Sequence, residues 1–465
     1  MSLEDRLYPL LNIYDRIPDS IKYCAGTVYR YLPAKWKWGK EYLNFQKLIR
    51  ESLQWDEDDI LEYQLKMLRS IIIRAQASCP YYTKLFAENK IHPEKIFSLE
   101  DLKSIPCLEK RDIQDNLNTL RSKEFSSSDQ LYITTGGSTG VPVGFYLHKG
   151  ISRPKEQAFL EAQWSRAEWK QGSRLVLIRG HVTTSHATGK ISVYDPTRNW
   201  LLMSSAHLTD ERIPEYLEQI EHFKPDFLHI YPSAALQIVE YLEKTHQSWR
   251  IPLTALLCGS ERLNIPQKRI LERAFGCKVY RWYGHSERAV LAGEGESTEL
   301  FYFWPIYGYT EFGEPDELGY QEVIATGFHN YVMPLIRYRT GDYVKLATPD
   351  YPHEYPWIAA TEIAGREQEF LVSGTGRKIS LTMFNMHSKI FDNLYAVQFY
   401  QCTPGAAEFR YQPSKGFNPN QLEGIKKGIL QKLGDDFEIN FKETEEMQKT
   451  PSGKHKWLVS EIKNK

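Results

Sequence analysis

Apolar and polar positions alternate with two different periods along this chain. In the first hundred residues the apolar positions recur at helical spacing. Leu61, Leu65, Leu68 and Ile72 line one face with charged residues between them, and Asp58 and Asp59 suit the positive start of that helix. From about residue 130 short apolar runs alternate with amphipathic stretches. Arg174–Ile178 reads as a buried strand, as does Phe227–Tyr231, which is followed by a helix through Leu236 and Val239. Leu253–Leu257 is another strand, ending at Gly259-Ser260. Strands separated by helices predict a mainly parallel, covered sheet. Residues 300–360 are richer in Tyr, Gly and Pro and alternate at Gln321–Ala325, which predicts more β structure. After about residue 365 a smaller α+β unit follows, with strands at Ala396–Gln401, Glu408–Tyr411 and Phe437–Phe441 and a helix from Asn420 to Leu433. The fold class is therefore α/β. A large unit spans 1–364, with a mainly helical preface over 1–100 and mixed sheets flanked by helices, and a small α+β unit spans 365–465.

Composition narrows the functional classes. The 465 residues are enough for two or three domains. Fifty-eight Lys and Arg nearly balance 59 Asp and Glu, for a net charge of −1. That balance argues against a whole-chain nucleic-acid binder. A mean hydropathy of −0.49, with no apolar run near about 18 residues, predicts no transmembrane segment. The first thirty residues are broken by charges and prolines and lack the core of a secretory signal. The six cysteines (Cys24, Cys79, Cys107, Cys258, Cys277, Cys402) lie far apart without a C-x-x-C pair, so neither a disulfide framework nor a zinc finger is expected. A cytoplasmic protein is the plain expectation. One local feature stands apart. Pro33–Lys40 alternates cations with Trp36 and Trp38. It reads as a surface touching a membrane or polyanion, or as a loop whose tryptophans pack inward, and its shortness favours the loop.

The motif richest in chemistry is Thr134-Thr135-Gly136-Gly137-Ser138-Thr139-Gly140-Val141-Pro142. Glycines let backbone amides approach an anion closely and hydroxyls add donors, so the segment suits phosphate oxygens. It is no Walker loop, because Val141 stands where the lysine would be. Alone, such a turn is more often a plain loop. It is followed in order by Tyr283-Gly284-His285-Ser286-Glu287, a carboxylate beside a hydroxyl, and by Tyr338–Asp342, an acid at a glycine turn suited to two vicinal ribose hydroxyls. Gly365-Arg366 comes next, and the lysine-bearing turn Lys449–Lys454 last.

Taken in this order, the five segments resemble the adenylate-forming superfamily, over residues 130 to 460. The helical preface ending in Cys79-Pro80-Tyr81-Tyr82, the Tyr231-Pro232-Ser233 turn and the Tyr283–Arg288 segment are most similar to the phenylacetate–CoA ligase group, particularly its capsular-polysaccharide branch, the CapK-like proteins. The resemblance implies an adenylate-forming core over 1–364 and a mobile lid over 365–465. It implies ATP-dependent activation of a carboxylic acid to an acyl-adenylate with release of pyrophosphate, then acyl transfer to CoA or to an amine or hydroxyl of a sugar. Thr134, Thr135, Gly136, Gly137, Ser138, Thr139 and Gly140 would hold phosphates. Gly259, Ser260 and Glu261 would pass along adenine, with Tyr283 on its other face and Gly284, His285 and Ser286 beside it. Asp342 would accept from the ribose, Arg366 would sit near ribose and phosphates, and Glu287 would ligate Mg²⁺. Lys454 would bridge acyl oxygen and α-phosphate. Tyr231, His285 and Arg179 would face the acid. His285 there favours a polar or anionic acid, or else it only hydrogen-bonds backbone; Arg179 is equally a structural arginine. The usual hinge position is Gln368 beside Glu367, a departure from the family pattern. Residues 288–312 hold neither Cys nor His, so no zinc is expected. A non-catalytic nucleotide-binding scaffold, and an enzyme that only adenylylates its substrate, are the rival expectations.

Overall fold

The apolar runs become strands. In chain order these are β1 Gln130–Thr135, β2 Val143–His148, β3 Leu175–Arg179, β4 Ser192–Asp195, β5 Trp200–Ser204, β6 Phe227–Ile230, β7 Ala255–Gly259, β8 Lys278–Gly284, β9 Leu291–Glu294, β10 Phe301–Phe303, β11 Gly308–Phe312, β12 Gln321–Gly327, β13 Tyr338–Leu346, β14 Ala359–Ala364, β15 Phe370–Val372, β16 Lys378–Ser380, β17 Leu394–Thr403, β18 Ala406–Pro413, β19 Glu438–Glu443 and β20 Leu458–Ser460. This computed structural model describes residues 18–135, 143–180, 191–364, 370–381, 394–413, 417–434, 436–444, 446–448 and 456–462.

Twelve strands form one sheet in the order β11-β12-β13-β14-β10-β9-β8-β7-β6-β3-β5-β4. From β5 through β3, β6 and β7 to β8 the pairing is parallel. Parallel strands carry helices on their faces, so their residues are apolar on both sides. All of β6 and β7 is buried accordingly. The connecting helices begin and end where their sequences say they should. Pro232–Lys244 has proline at its start. Ile265–Phe275 carries an Asn264/Gln267 capping box and stops at Gly276, φ +68°.

Beyond β8 every pairing is antiparallel, and this half of the sheet curls. Three strands separate β8 from β13, so a flat sheet would hold them about 19 Å apart. Yet the Tyr283 hydroxyl of β8 donates to Asp342 Oδ2 of β13 at 2.9 Å. The concave face is filled by Ala292, Phe301, Phe303, Val323, Ala325, Val344 and Ala360, a single core drawn from five of these strands.

The hairpin β1–β2 pairs Thr135 with Val143 at its loop end. Val143 shares a core with Ile113 and Tyr338. In the C-terminal region the sheet order is β19-β18-β17-β20. The helix Gln421–Leu433 buries Ile425, Ile429 and Leu433 at four-residue spacing, in one core with Phe399 and Phe409. The boundary expected at 364/365 falls beside residues 365–369, outside the described residues.

Two local expectations are corrected. Pro33–Lys40 is not a loop: it opens the helix Ala34–Ser52, kinked at Gly39, φ +81°. Trp36 and Trp38 both precede the kink and, two residues apart, point to opposite sides of the helix, so Trp38 is 8% exposed and Trp36 63% exposed. The helix Glu57–Ser78 carries Asp58 and Asp59 in its first turn, as expected, behind the cap Asp56, whose carboxylate accepts from Asp59 N; what differs is its apolar face. Its buried face is Leu68, Ile71, Ile72 and Ala75, whereas Leu61 is 40% exposed, because the first half of the helix meets the core through Ile60 and Tyr63 instead.

Candidate active site

Open α/β sheets bind ligands at the carboxyl ends of their strands, and the described candidate residues collect there. β8 ends at Gly284. A turn follows in which Arg288 N donates to His285 O at 3.1 Å and Arg288 takes a left-handed φ of +56°. That turn carries Ser286 and swings Glu287 inward until it is 7% exposed. The Tyr338 hydroxyl donates to Glu287 Oε1 at 2.8 Å. His285 Nδ1 lies 3.0 Å from Glu287 Oε2, close enough for a charge contact although bent away from hydrogen-bond geometry. Burial alone would raise the Glu287 pKa. The charges of His285 and Lys110 and the Tyr338 hydroxyl outweigh it and bring the carboxyl from an ordinary 4.5 down to about 2. Glu287 is thus an ionised oxygen donor. His285 Nε2 is buried without a hydrogen-bond partner among the described residues, a vacancy that a ligand oxygen could complete. Neither ring nitrogen of His285 hydrogen-bonds a backbone group among the described residues.

β13 supplies the opposite wall. Between Glu322↔Tyr343 and Ile324↔Arg339 the register shifts, so Thr340, Gly341 and Asp342 face Val323 alone. This bulge, with Gly341 at φ +74°, brings Asp342 to the Tyr283 hydroxyl. Burial first, and then the Asp342 charge, push the Tyr283 phenol far above its usual range, so it remains a donor. Residues 105–110 run beside β13: Leu108 N donates to Arg337 O at 3.0 Å and Arg339 N to Leu108 O at 2.9 Å. That brace brings the Lys110 charge to bear on Glu287.

The neighbouring strand ends hold the second group. Gly259 lies opposite Trp282, and a Cβ at Gly259 would stand 2.5 Å from the indole, so only glycine fits. Ser260 follows in the left-handed region, φ +69°. Glu261 accepts from Ser233 N at 2.9 Å and Ser233 Oγ at 3.1 Å, which fastens the loop to the first turn of the helix Pro232–Lys244. Arg179, at the end of β3, reaches His229 Nε2 at 2.6 Å and Ser260 Oγ. Its guanidinium carbon sits 4.4 Å above the Tyr231 ring. Arg179 and Tyr231 therefore share the edge, with Arg179 engaged by protein. Thr134 is buried at the hairpin end. Gly136, Gly137, Ser138, Thr139, Gly140, Arg366, Gln368, Lys449 and Lys454 lie outside the described residues, as do Val141, Pro142, Gly365 and Glu367; of Thr135 only the backbone is described.

Sequence reasoning missed three supporting residues. Tyr338 opens the Tyr338–Asp342 motif, in which only the acid carries an expected role. Lys110 gave no signal. Lys155 sits in the first turn of the helix Ser152–Ser165, where a lysine normally faces water, yet it is 3% exposed. Its ammonium donates to Arg288 O at 3.1 Å and stands 3.5 Å from the Tyr307 ring centre. Burial, opposed by Glu156 and aided by Arg288, brings its pKa down to about 7. Arg288 in turn donates to Ser152 Oγ at 2.6 Å. The turn that aims Glu287 is thereby clamped from behind.

A single buried carboxylate suits Mg²⁺, which keeps most of its shell for water and phosphate oxygens. No group of three or more metal-ligating side chains occurs among the described residues.

Comparison with solved structures places this architecture among acyl-CoA ligases. A 2-hydroxyisobutyryl-CoA ligase in complex with an acyl-AMP superposes with a TM-score of 0.55 over 93% of this chain and 94% of that one, at 16% identity. The same ligase with 2-HIB-AMP and CoA gives 0.55 over 89% and 91%. At sequence level the chain is 23% identical to Protein CapK of Staphylococcus aureus over 461 residues, 97% of this chain and 99% of that one. It is 25% identical to phenylacetate-coenzyme A ligase of Aromatoleum evansii over 336 residues, 68% and 72% of the two chains. No family model matches the chain. In sequence the chain is thus similar to CapK along almost its whole length and to phenylacetate–CoA ligases over about two thirds of it, and in fold it is similar to an acyl-CoA ligase.

Proposed function

We propose that this protein is an AMP-forming carboxylate ligase that activates a carboxylic acid with ATP and passes the acyl group to CoA. The observation that carries this reading is the convergence of Glu287, Tyr338 and His285 with the Tyr283–Asp342 pair, at the carboxyl end of β8. Asp342 accepts ribose hydroxyls there, and Tyr283 packs against adenine. Gly259–Glu261 forms the adjoining wall, and Thr135–Gly140, leaving the hairpin end, holds phosphate oxygens. Glu287 holds Mg²⁺, which when bound neutralises phosphate charge. The anionic acid must approach an anionic α-phosphate, so a cation between them lowers the barrier and aligns the reacting atoms. Lys454 serves as that cation and Arg366 as its neighbour, both delivered by a mobile lid over 365–465. Similarity to CapK across the whole chain, against about two thirds for the ligases, supports the further possibility of a sugar amine or hydroxyl as acceptor, in capsule or O-antigen assembly.

The test is mass spectrometry of reactions containing ATP, Mg²⁺, a carboxylic-acid panel, and either CoA or amino sugars. An acyl-AMP intermediate followed by an acyl-CoA or acylated sugar is expected. Lys454→Ala should retain ATP binding while losing adenylate formation by orders of magnitude. Bound ATP with no adenylate from any acid, in wild type and variant alike, would leave a nucleotide-binding scaffold. AMP that stays joined to the product would mark a terminal adenylylation.

A further inference from the structure

The helix Asp19–Tyr31 is mounted the wrong way round for a surface helix. Such helices normally turn their apolar stripe inward. Here Ile21, Cys24, Val28 and Tyr31, spaced three, four and three residues apart, share one stripe, and that stripe faces out. Ile21 is 56%, Val28 66% and Tyr31 77% exposed, and Cys24 is exposed as well. The inward side holds Gly26, where a Cβ would meet Pro196 at 2.5 Å. It also holds Arg30, which donates to the Tyr194 hydroxyl at 3.3 Å. The mount is specific: buried Lys37 donates to Arg30 O at 3.1 Å. At the start of the next helix Trp36 is exposed, with exposed Lys35 beside it and exposed Lys40 just past the Gly39 kink. Across residues 18–40 there are five Lys and Arg against one acid, Asp19. Of the five, only Lys37 is fully buried. No helix among the described residues is long and apolar enough to cross a membrane.

An outward apolar stripe bordered by cations, with Tyr and Trp at its margin, is the chemistry of a helix lying in a lipid–water interface. The charge excess selects which lipid. Anionic headgroups attract juxtaposed Lys and Arg, whereas a neutral protein partner or a second copy, equally basic at this face, gains nothing from them. From this we infer that residues 18–40 dock the protein on an anionic lipid surface, with Ile21, Val28, Tyr31 and Trp36 entering the interface and Lys22, Lys35 and Lys40 meeting headgroups.

Vesicle flotation of the full chain tests this, using phosphatidylcholine vesicles with and without phosphatidylglycerol. Wild type should bind the anionic vesicles about tenfold more tightly, and the preference should fall with added salt. Val28→Asp with Tyr31→Asp should lose about tenfold in binding to anionic vesicles with unchanged circular dichroism and thermal midpoint, since both side chains are exposed. Lys35→Glu with Lys40→Glu should abolish the preference for phosphatidylglycerol. Absence of vesicle binding overturns the inference. With a monomer in light scattering it assigns the stripe to the first 17 residues; with a dimer that the aspartate pair dissolves, it assigns it to a second copy. Binding that ignores both lipid charge and the substitutions overturns it as well.

Discussion

Two buried glutamates, Glu287 before β9 and Glu294 at its end, meet opposite fates. Glu294 accepts from Arg281 N, Nε and Nη2 at 2.8, 2.8 and 2.6 Å and from Lys268 Nζ at 2.9 Å. Its lone pairs are spent on protein, and it locks β8, β9 and the helix Ile265–Phe275 together. Glu287, equally enclosed, receives one tyrosine hydroxyl and an off-line histidine contact. It keeps its charge with capacity to spare. Burial therefore does not distinguish a structural carboxylate from a ligating one here; the degree to which protein donors saturate it does.

The largest effect that would break this contrast is on stability. Glu294→Gln leaves Arg281 and Lys268 buried without their shared counter-charge and should cost roughly 3–5 kcal/mol, read as a lower denaturant midpoint. Glu287→Gln should cost less stability but lower acid-dependent ATP turnover by about a hundredfold. Equal stability losses in the two variants would erase the distinction.

A smaller effect sharpens it. Lys155 holds the Arg288 carbonyl and so positions Glu287. Lys155→Met should lower turnover by about tenfold and raise the Mg²⁺ concentration needed for half-maximal rate. Thermal stability should hold or rise, because a desolvated cation has been removed. A stability loss with an unchanged Mg²⁺ requirement would make Lys155 merely structural.

The smallest effect is in acid. The folded Glu287 pKa of about 2 lies below its ordinary 4.5, so the folded state favours the carboxylate. Its contribution is complete above about pH 4.5 and is lost as pH falls toward about 2. Glu287→Gln should flatten the stability curve in that window alone, as followed by denaturation at a series of pH values.

The parallel half of the sheet was legible because its strands are buried on both faces and leave unbroken apolar runs at Arg174–Ile178 and Phe227–Tyr231. The predicted strand Leu253–Leu257 begins two residues later, at Ala255, since Thr254 N is spent on Asp226 O. The motifs bearing Tyr283, Glu287 and Asp342 were legible as chemistry. Their meeting was not, because the Tyr283–Asp342 bond depends on the curl of strands between β8 and β13, which no local pattern encodes. Lys155 was invisible for a related reason: one lysine in an amphipathic stretch reads as solvent-facing until its partner, a backbone carbonyl far along the chain, is known. Helical geometry likewise sends Trp36 outward and Trp38 inward in a patch that the sequence presents as one.

The central claim is that Glu287, and not Glu294, is the carboxylate kept available for the metal and nucleotide. ATP–pyrophosphate exchange at graded Mg²⁺, across a carboxylic-acid panel, measures this in wild type beside Glu287→Gln. Acid-dependent exchange in wild type, with a loss of about a hundredfold in the variant and a raised Mg²⁺ requirement, is the predicted result. Exchange that is unchanged in folded Glu287→Gln, or absent from wild type with every acid, would contradict it.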